Sequence, residues 1–132
     1  MIKDEKRVQI PLCDPYVDER GKIQVLLNSD ELESAVIIES KKGAIRANHY
    51  HTSDWHYCYV VSGSIEYYWR PTGSEEEPQM QVFKAGELFF TPPMVDHTMV
   101  FPEDGTFLTL SGSNREKENY DDEIVHVELV KP

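Results

Sequence analysis

The chain has 132 residues, 39% hydrophobic and 28% charged, a size that suits one folded domain and is too small for two. Thirteen Lys and Arg against 24 Asp and Glu give a formal charge of −11, which argues against a nucleic-acid backbone or an anionic membrane surface as partner. The N-terminal stretch Met1–Arg7 has no apolar signal-type segment, no run approaches the roughly 18 apolar residues of a membrane span, and Cys13 and Cys58 have no metal-site or redox spacing, so a cytoplasmic protein with reduced thiols is expected.

Eight prolines and seven glycines separate short apolar runs, and helical periodicity is almost absent, which predicts an all-β chain. Strands rich in β-branched and aromatic residues are expected at about 22–27, 34–40, 44–51, 56–61, 64–70, 80–83, 87–91, 97–101, 106–111 and 124–129. Asp30–Glu33 reads as one helical turn, and Ser74–Glu77 and Asn114–Glu123 as solvated acidic loops. Alternation turns Ile45, Ala47, His49 and His51 to one side of their strand and Arg46, Asn48 and Tyr50 to the other. It likewise groups His56, Cys58 and Val60 on one face and leaves Tyr57, Tyr59 and Val61 as an outward apolar stripe. Such a stripe is rarely left bare, which predicts a homodimer that covers it.

Three of the five histidines, His49, His51 and His56, fall within eight residues. Positions i and i+2 of a strand share a face, so His49 and His51 stand side by side, and an antiparallel return after Thr52–Trp55 brings His56 opposite them. His97 opens another alternating strand beyond the Pro92-Pro93 corner and supplies a fourth nitrogen. Converging imidazoles suit one divalent transition metal per chain, such as Fe, Ni, Zn, Mn or Cu, whereas Mg and Ca prefer oxygen ligands. His126, alone in an acidic segment, reads as an ordinary surface histidine.

Two stretches resemble the motifs of the cupins. Residues 43–63, with Gly43, His49, His51, His56 and Gly63, are similar to the first motif, G-x5-H-x-H-x(3,4)-E-x6-G. Residues 86–101, with Gly86, Pro92 and His97, are similar to the second, G-x5-P-x-G-x2-H-x3-N. His56 stands at the glutamate position, Met94 at the glycine and Phe101 at the asparagine. This resemblance implies a single-domain double-stranded β-helix, a jelly-roll barrel over residues 1–132, with His49, His51, His56 and His97 as metal ligands. A second resemblance, through Asp18-Glu19-Arg20-Gly21 and Arg46–His51, is to the nucleotide-sugar epimerases and ketoisomerases of the same superfamily, which implies metal-free acid-base chemistry with His49 as catalytic base.

The leading expectation is a metal-dependent enzyme acting on a small oxygen-rich, sugar-like molecule by Lewis-acid or oxidative chemistry. The alternatives are the metal-independent isomerase and a noncatalytic small-molecule-binding barrel.

Overall fold

The computed structural model describes residues 8–112 and 124–130. Among them are twelve strands and no helix. In chain order these are β1 (Gln9–Ile10), β2 (Tyr16–Asp18), β3 (Gly21–Ile23), β4 (Ser34–Ser40), β5 (Ile45–His51) and β6 (His56–Ser62), followed by β7 (Ser64–Pro71), β8 (Gln79–Lys84), β9 (Leu88–Thr91), β10 (Val95–Val100), β11 (Gly105–Ser111) and β12 (Ile124–His126). One antiparallel sheet has the order β1-β9-β6-β11-β4, the other β12-β5-β10-β7-β8, and β2 with β3 makes a separate hairpin. Non-sequential neighbours in both sheets give the jelly-roll wrap, an all-β single domain as the sequence pattern implied.

From β4 to β11 the strands fall where alternation and turn residues put them. β1 and β2, of two and three residues, are too short to leave a periodic signal. The stretch 22–27 contracts to β3, and Asp30–Glu31 forms a turn rather than a helix, followed directly by extended chain. The expected Asn114–Glu123 loop lies outside the described residues.

Between the sheets lies a core of Cys58, Val60, Ile65, Tyr67, Phe83, Phe89, Phe101 and Phe107. A second apolar cluster lies on the outer face of the first sheet, where Tyr57, Leu88, Phe90 and Leu110 are covered by Ile10, Leu12, Leu26, Leu27 and Leu32. That cover corrects the reading of Tyr57 as part of an uncovered stripe on β6. Tyr57 is buried under the chain's own N-terminal segment, Tyr59 is half-buried, and only Val61 of the three is exposed. β9, sandwiched between the two clusters, is buried at every position, so its sequence Leu-Phe-Phe-Thr shows no alternation of polarity.

The last glycine of the first motif has a steric reason. Gly63 joins β6 to β7 at φ 77°, and a Cβ there would come within 2.6 Å of the Asp104 carbonyl oxygen. Only glycine lets this turn pack against the Asp104–Gly105 corner and hold the two sheets in register at that end.

Candidate active site

Three elements converge on one end of the barrel. β5 supplies His49 and His51, β10 pairs with it so that His97 lies opposite His49, and β6 of the facing sheet supplies His56. Ring centroids are 4.8 Å apart for His49–His51 and for His49–His97, 4.5 Å for His51–His56 and 5.5 Å for His51–His97. The four predicted residues are therefore together. His51, His56 and His97 are buried, and His49 is half-buried. They line a cavity of about 160 Å³ whose remaining wall includes Tyr67, Met99, Phe107 and Cys58, the last on the His56 face as alternation predicted. His56 is not held on a loose turn: β6 runs between β9 and β11, with His56 in register with both Thr91 and Ser111.

One expectation fails at β5. Ala47 and Asn48 both have positive φ, 71° and 55°, and the register with β10 steps from His97–His49 to Thr98–Ala47 and Met99–Arg46. This bulge adds a residue to β5 and reverses its alternation, so Arg46 joins Met99 in the cavity wall instead of facing out. Its guanidinium donates to Ser40 Oγ at 2.7 Å and to the Glu39 carbonyl at 2.9 Å. Ala47 lines the cavity as expected, whereas Asn48 faces out and takes up the C-terminal segment. Its Oδ1 accepts from Thr98 Oγ1 and from the Leu129 and Val130 amides, and its Nδ2 donates to the Val130 carbonyl.

The charge pattern is asymmetric. His97 donates from Nδ1 to the Val95 carbonyl at 3.0 Å, which leaves its Nε2 with the lone pair. Burial, reinforced by the neighbouring His49, pushes its pKa well below the ordinary 6.5, so the ring is neutral. Beside His56 stands Asp54. Its Oδ1 accepts from the Trp55 amide at 2.8 Å, and its Oδ2 lies 3.0 Å from His56 Nε2. Burial raises its pKa, but the attraction of the adjoining His56, with help from the Trp55 amide and His51, more than offsets that, and the carboxyl sits below its ordinary value of 3.8. Tyr67 is fully buried and hydrogen-bonded to Thr91 Oγ1, and burial keeps its phenol protonated.

Sequence reasoning did not find Asp54 as a site residue and turned Arg46 to the outer face. The spacing of Asp54 two before His56 was the available signal for the first. His126, set aside as a surface residue, is exposed, yet β12 pairs with β5 so that it lies opposite His49, ring centroids 6.2 Å apart.

The family profile described as "Cupin domain" matches residues 36–111, more than half of the chain. The chain is a cupin. No curated protein matches it. Among solved structures, the cupin is similar to a double mutant of the QdtA 3,4-ketoisomerase of Thermoanaerobacterium thermosaccharolyticum in complex with TDP, at 15% identity and a TM-score of 0.70, covering 89% of this chain and 83% of that one. It is similar to a 3,4-ketoisomerase of Helicobacter canadensis at 19% identity and a TM-score of 0.70, covering 85% and 84%. It also matches the capsular polysaccharide assembling protein CapF of Staphylococcus aureus at 19% identity and a TM-score of 0.65, covering 89% of this chain but 34% of CapF. At these identities the likeness is one of fold.

Within the cupin pattern, Met94 occupies a glycine position and adopts glycine's backbone, φ 59°. Its amide donates to the His51 carbonyl at 2.8 Å and its carbonyl accepts from the Thr72 amide at 3.1 Å, so this corner ties the strand of His51 to the approach of His97. Phe101, at the asparagine position, is buried and stacks on Phe107 in the core.

Proposed function

We propose that this cupin is an isomerase of a small sugar-like substrate, moving a proton between the two carbons of an α-hydroxy carbonyl group. The observation that carries the proposal is the cluster of imidazoles around a small cavity, with His97 neutral in its wall and an ionised Asp54 beside His56. Such an isomerisation needs a base that removes a proton beside the carbonyl and an acid that protonates the carbonyl oxygen, after which the second hydroxyl gives up its proton and the former carbonyl carbon takes one. His49, half-buried among the other rings, is the base in this scheme. His56, set 3.0 Å from the buried Asp54 carboxylate, is the acid in this scheme. The solved ketoisomerases of the same fold support this metal-free route over the metal-dependent enzyme that leads from the sequence. TDP in one of them points to a nucleotide sugar, for which Arg46 in the cavity wall is the available guanidinium.

The test is solvent-deuterium incorporation. Chelator-treated protein incubated with a nucleoside-diphosphate 4-keto sugar in D₂O is expected to place deuterium beside the carbonyl, with the rate falling about 10²-fold or more in His49→Asn. Binding without exchange would leave the noncatalytic barrel instead.

A second reading is favoured by the ligand geometry. The candidate ligand atoms of His49, His51 and His97 lie within 4.8 Å of one another, as do those of His51, Asp54 and His56. Neutral imidazoles beside a carboxylate fit a divalent ion of the Fe, Ni, Zn, Mn or Cu class, held by His49, His51, His56 and His97. Bound there, the ion would act as a Lewis acid toward a carbonyl oxygen. Loss of turnover on chelation, restored by one of these ions, would select this reading. In either case the protein is expected in the cytoplasm as a homodimer. With Tyr57 covered, the surface available is the row of Ile37, Leu108 and Tyr59, in register across β4, β11 and β6, of which Ile37 is 67% exposed. Light scattering at about 15 kDa would overturn the dimer.

A further inference from the structure

We propose that Asp54 is itself a metal ligand, so that a divalent transition ion taken up by this cupin is held by a carboxylate oxygen of Asp54 together with His51 and His56. Resting on the metal-binding reading, the assignment is independent of the isomerase reading.

Three observations carry it. Asp54 and His56 are 2% and 6% exposed, far drier than a carboxylate-imidazole pair at a protein surface. Oδ2 of Asp54 lies only 3.0 Å from Nε2 of His56, yet that nitrogen makes no hydrogen bond, so the two atoms are close without the alignment that donation requires. Two donors at right angles on one ion, with bonds of about 2.1 Å, stand about 3.0 Å apart and point at the ion rather than at each other. The candidate ligand atoms of His51, Asp54 and His56 all lie within 4.8 Å of one another, and His51 belongs also to the set with His49 and His97. Charge completes the case. Neutral imidazoles alone would leave a buried dication without a counter-charge, and Asp54 supplies one at the atoms where it is needed. A hard oxygen donor among nitrogens also moves metal preference toward Mn(II) and away from Cu.

The experiment titrates Mn(II) and Zn(II) into untagged, chelator-stripped protein and into Asp54→Asn, His56→Ala and the double variant. Asp54→Asn is expected to weaken Mn(II) more than 100-fold, beyond the roughly 10–100-fold typical of residues that only orient a ligand, and Zn(II) by less. In the His56→Ala background the same substitution is expected to cost a further 10-fold or more, because Asp54 then still holds the ion. If it costs nothing there, Asp54 works only through His56 and the assignment is overturned. Equal Mn(II) affinity of wild type and Asp54→Asn overturns it too. A wild type that binds neither ion overturns it together with the metal reading, while deuterium incorporation by the chelator-treated protein would leave the isomerase standing. The unmutated protein gives a check free of folding effects. With ¹³C-labelled aspartate, Mn(II) addition is expected to shift an aspartate carboxylate stretch in the infrared difference spectrum, and an unshifted spectrum contradicts the assignment.

Discussion

Met94 shows how a single side chain tolerates a position built for glycine. At φ 59° its Cβ crowds the backbone, at a cost of about 1–2 kcal/mol. The amide bond to His51 and the carbonyl bond from Thr72 hold it there. Met94→Gly removes that strain but loosens the unfolded chain by about 0.4–1 kcal/mol. A net gain of about 0.5–1 kcal/mol is expected, read as a melting temperature a few degrees higher with the pocket unchanged. His97 gives the pH dependence. Its folded-state pKa lies well below 6.5, so the unfolded chain binds the proton more readily and stability rises with pH through that interval. The contribution is fully present above about pH 6.5 and is lost as pH falls toward the folded-state pKa. Urea unfolding of metal-free protein at pH 7.5 and 5.5 is expected to show this loss, and His97→Asn to show less of it.

At the scale of the strand, the bulge of β5 does two things at once. By inserting a residue it brings Arg46 into the cavity, and by giving Asn48 a left-handed backbone it aims that side chain at the C-terminal segment. Four side-chain hydrogen bonds and the Val127 amide on its carbonyl then converge on Asn48. At about 0.5–1.5 kcal/mol each, loss of the side-chain bonds in Asn48→Ala is expected to cost about 2–6 kcal/mol. Amide exchange in 124–130 is expected to accelerate far more than exchange in β6 or β9. Uniform acceleration across the chain would mean that the segment is held by something else.

At the scale of the molecule, the barrel has two apolar layers, one between its sheets and one between the first sheet and residues 10–32. Leu88 belongs to the outer layer and is fully buried. Leu88→Ala is expected to destabilise by about 3 kcal/mol, in the range of an inner-core truncation such as Ile65→Ala, measured by urea unfolding. A cost below about 1 kcal/mol would mean that the N-terminal segment packs loosely. The outer layer also supports the site indirectly, since β6 and β9 carry His56 and Thr91 on the cavity face and Tyr57 and Phe90 under the cover.

Alternation of polar and apolar residues, the turn residues between them and the paired motifs made the all-β class, most strand positions and the convergence of His49, His51, His56 and His97 legible in the chain itself. These are local properties: period two in a strand decides which side chains share a face, and glycine or proline decides where it turns. What escaped depends on contacts between distant segments. Whether Tyr57 meets water or Leu26 is decided by the path of the N-terminal segment, and no periodicity on β6 records it. The bulge at Ala47-Asn48 is selected by the hydrogen bonds that residues 127–130 offer, about 80 positions away, so Arg46 was assigned to the wrong face. Asp54 becomes a buried, ionised partner of His56 only because the fold sets it 3.0 Å from that ring, whose attraction, with the Trp55 amide, offsets the cost of burial. The sequence by itself determined which faces the histidines share. The tertiary structure decided which other charges stand with them, because burial and counter-charge are properties of the packed surroundings.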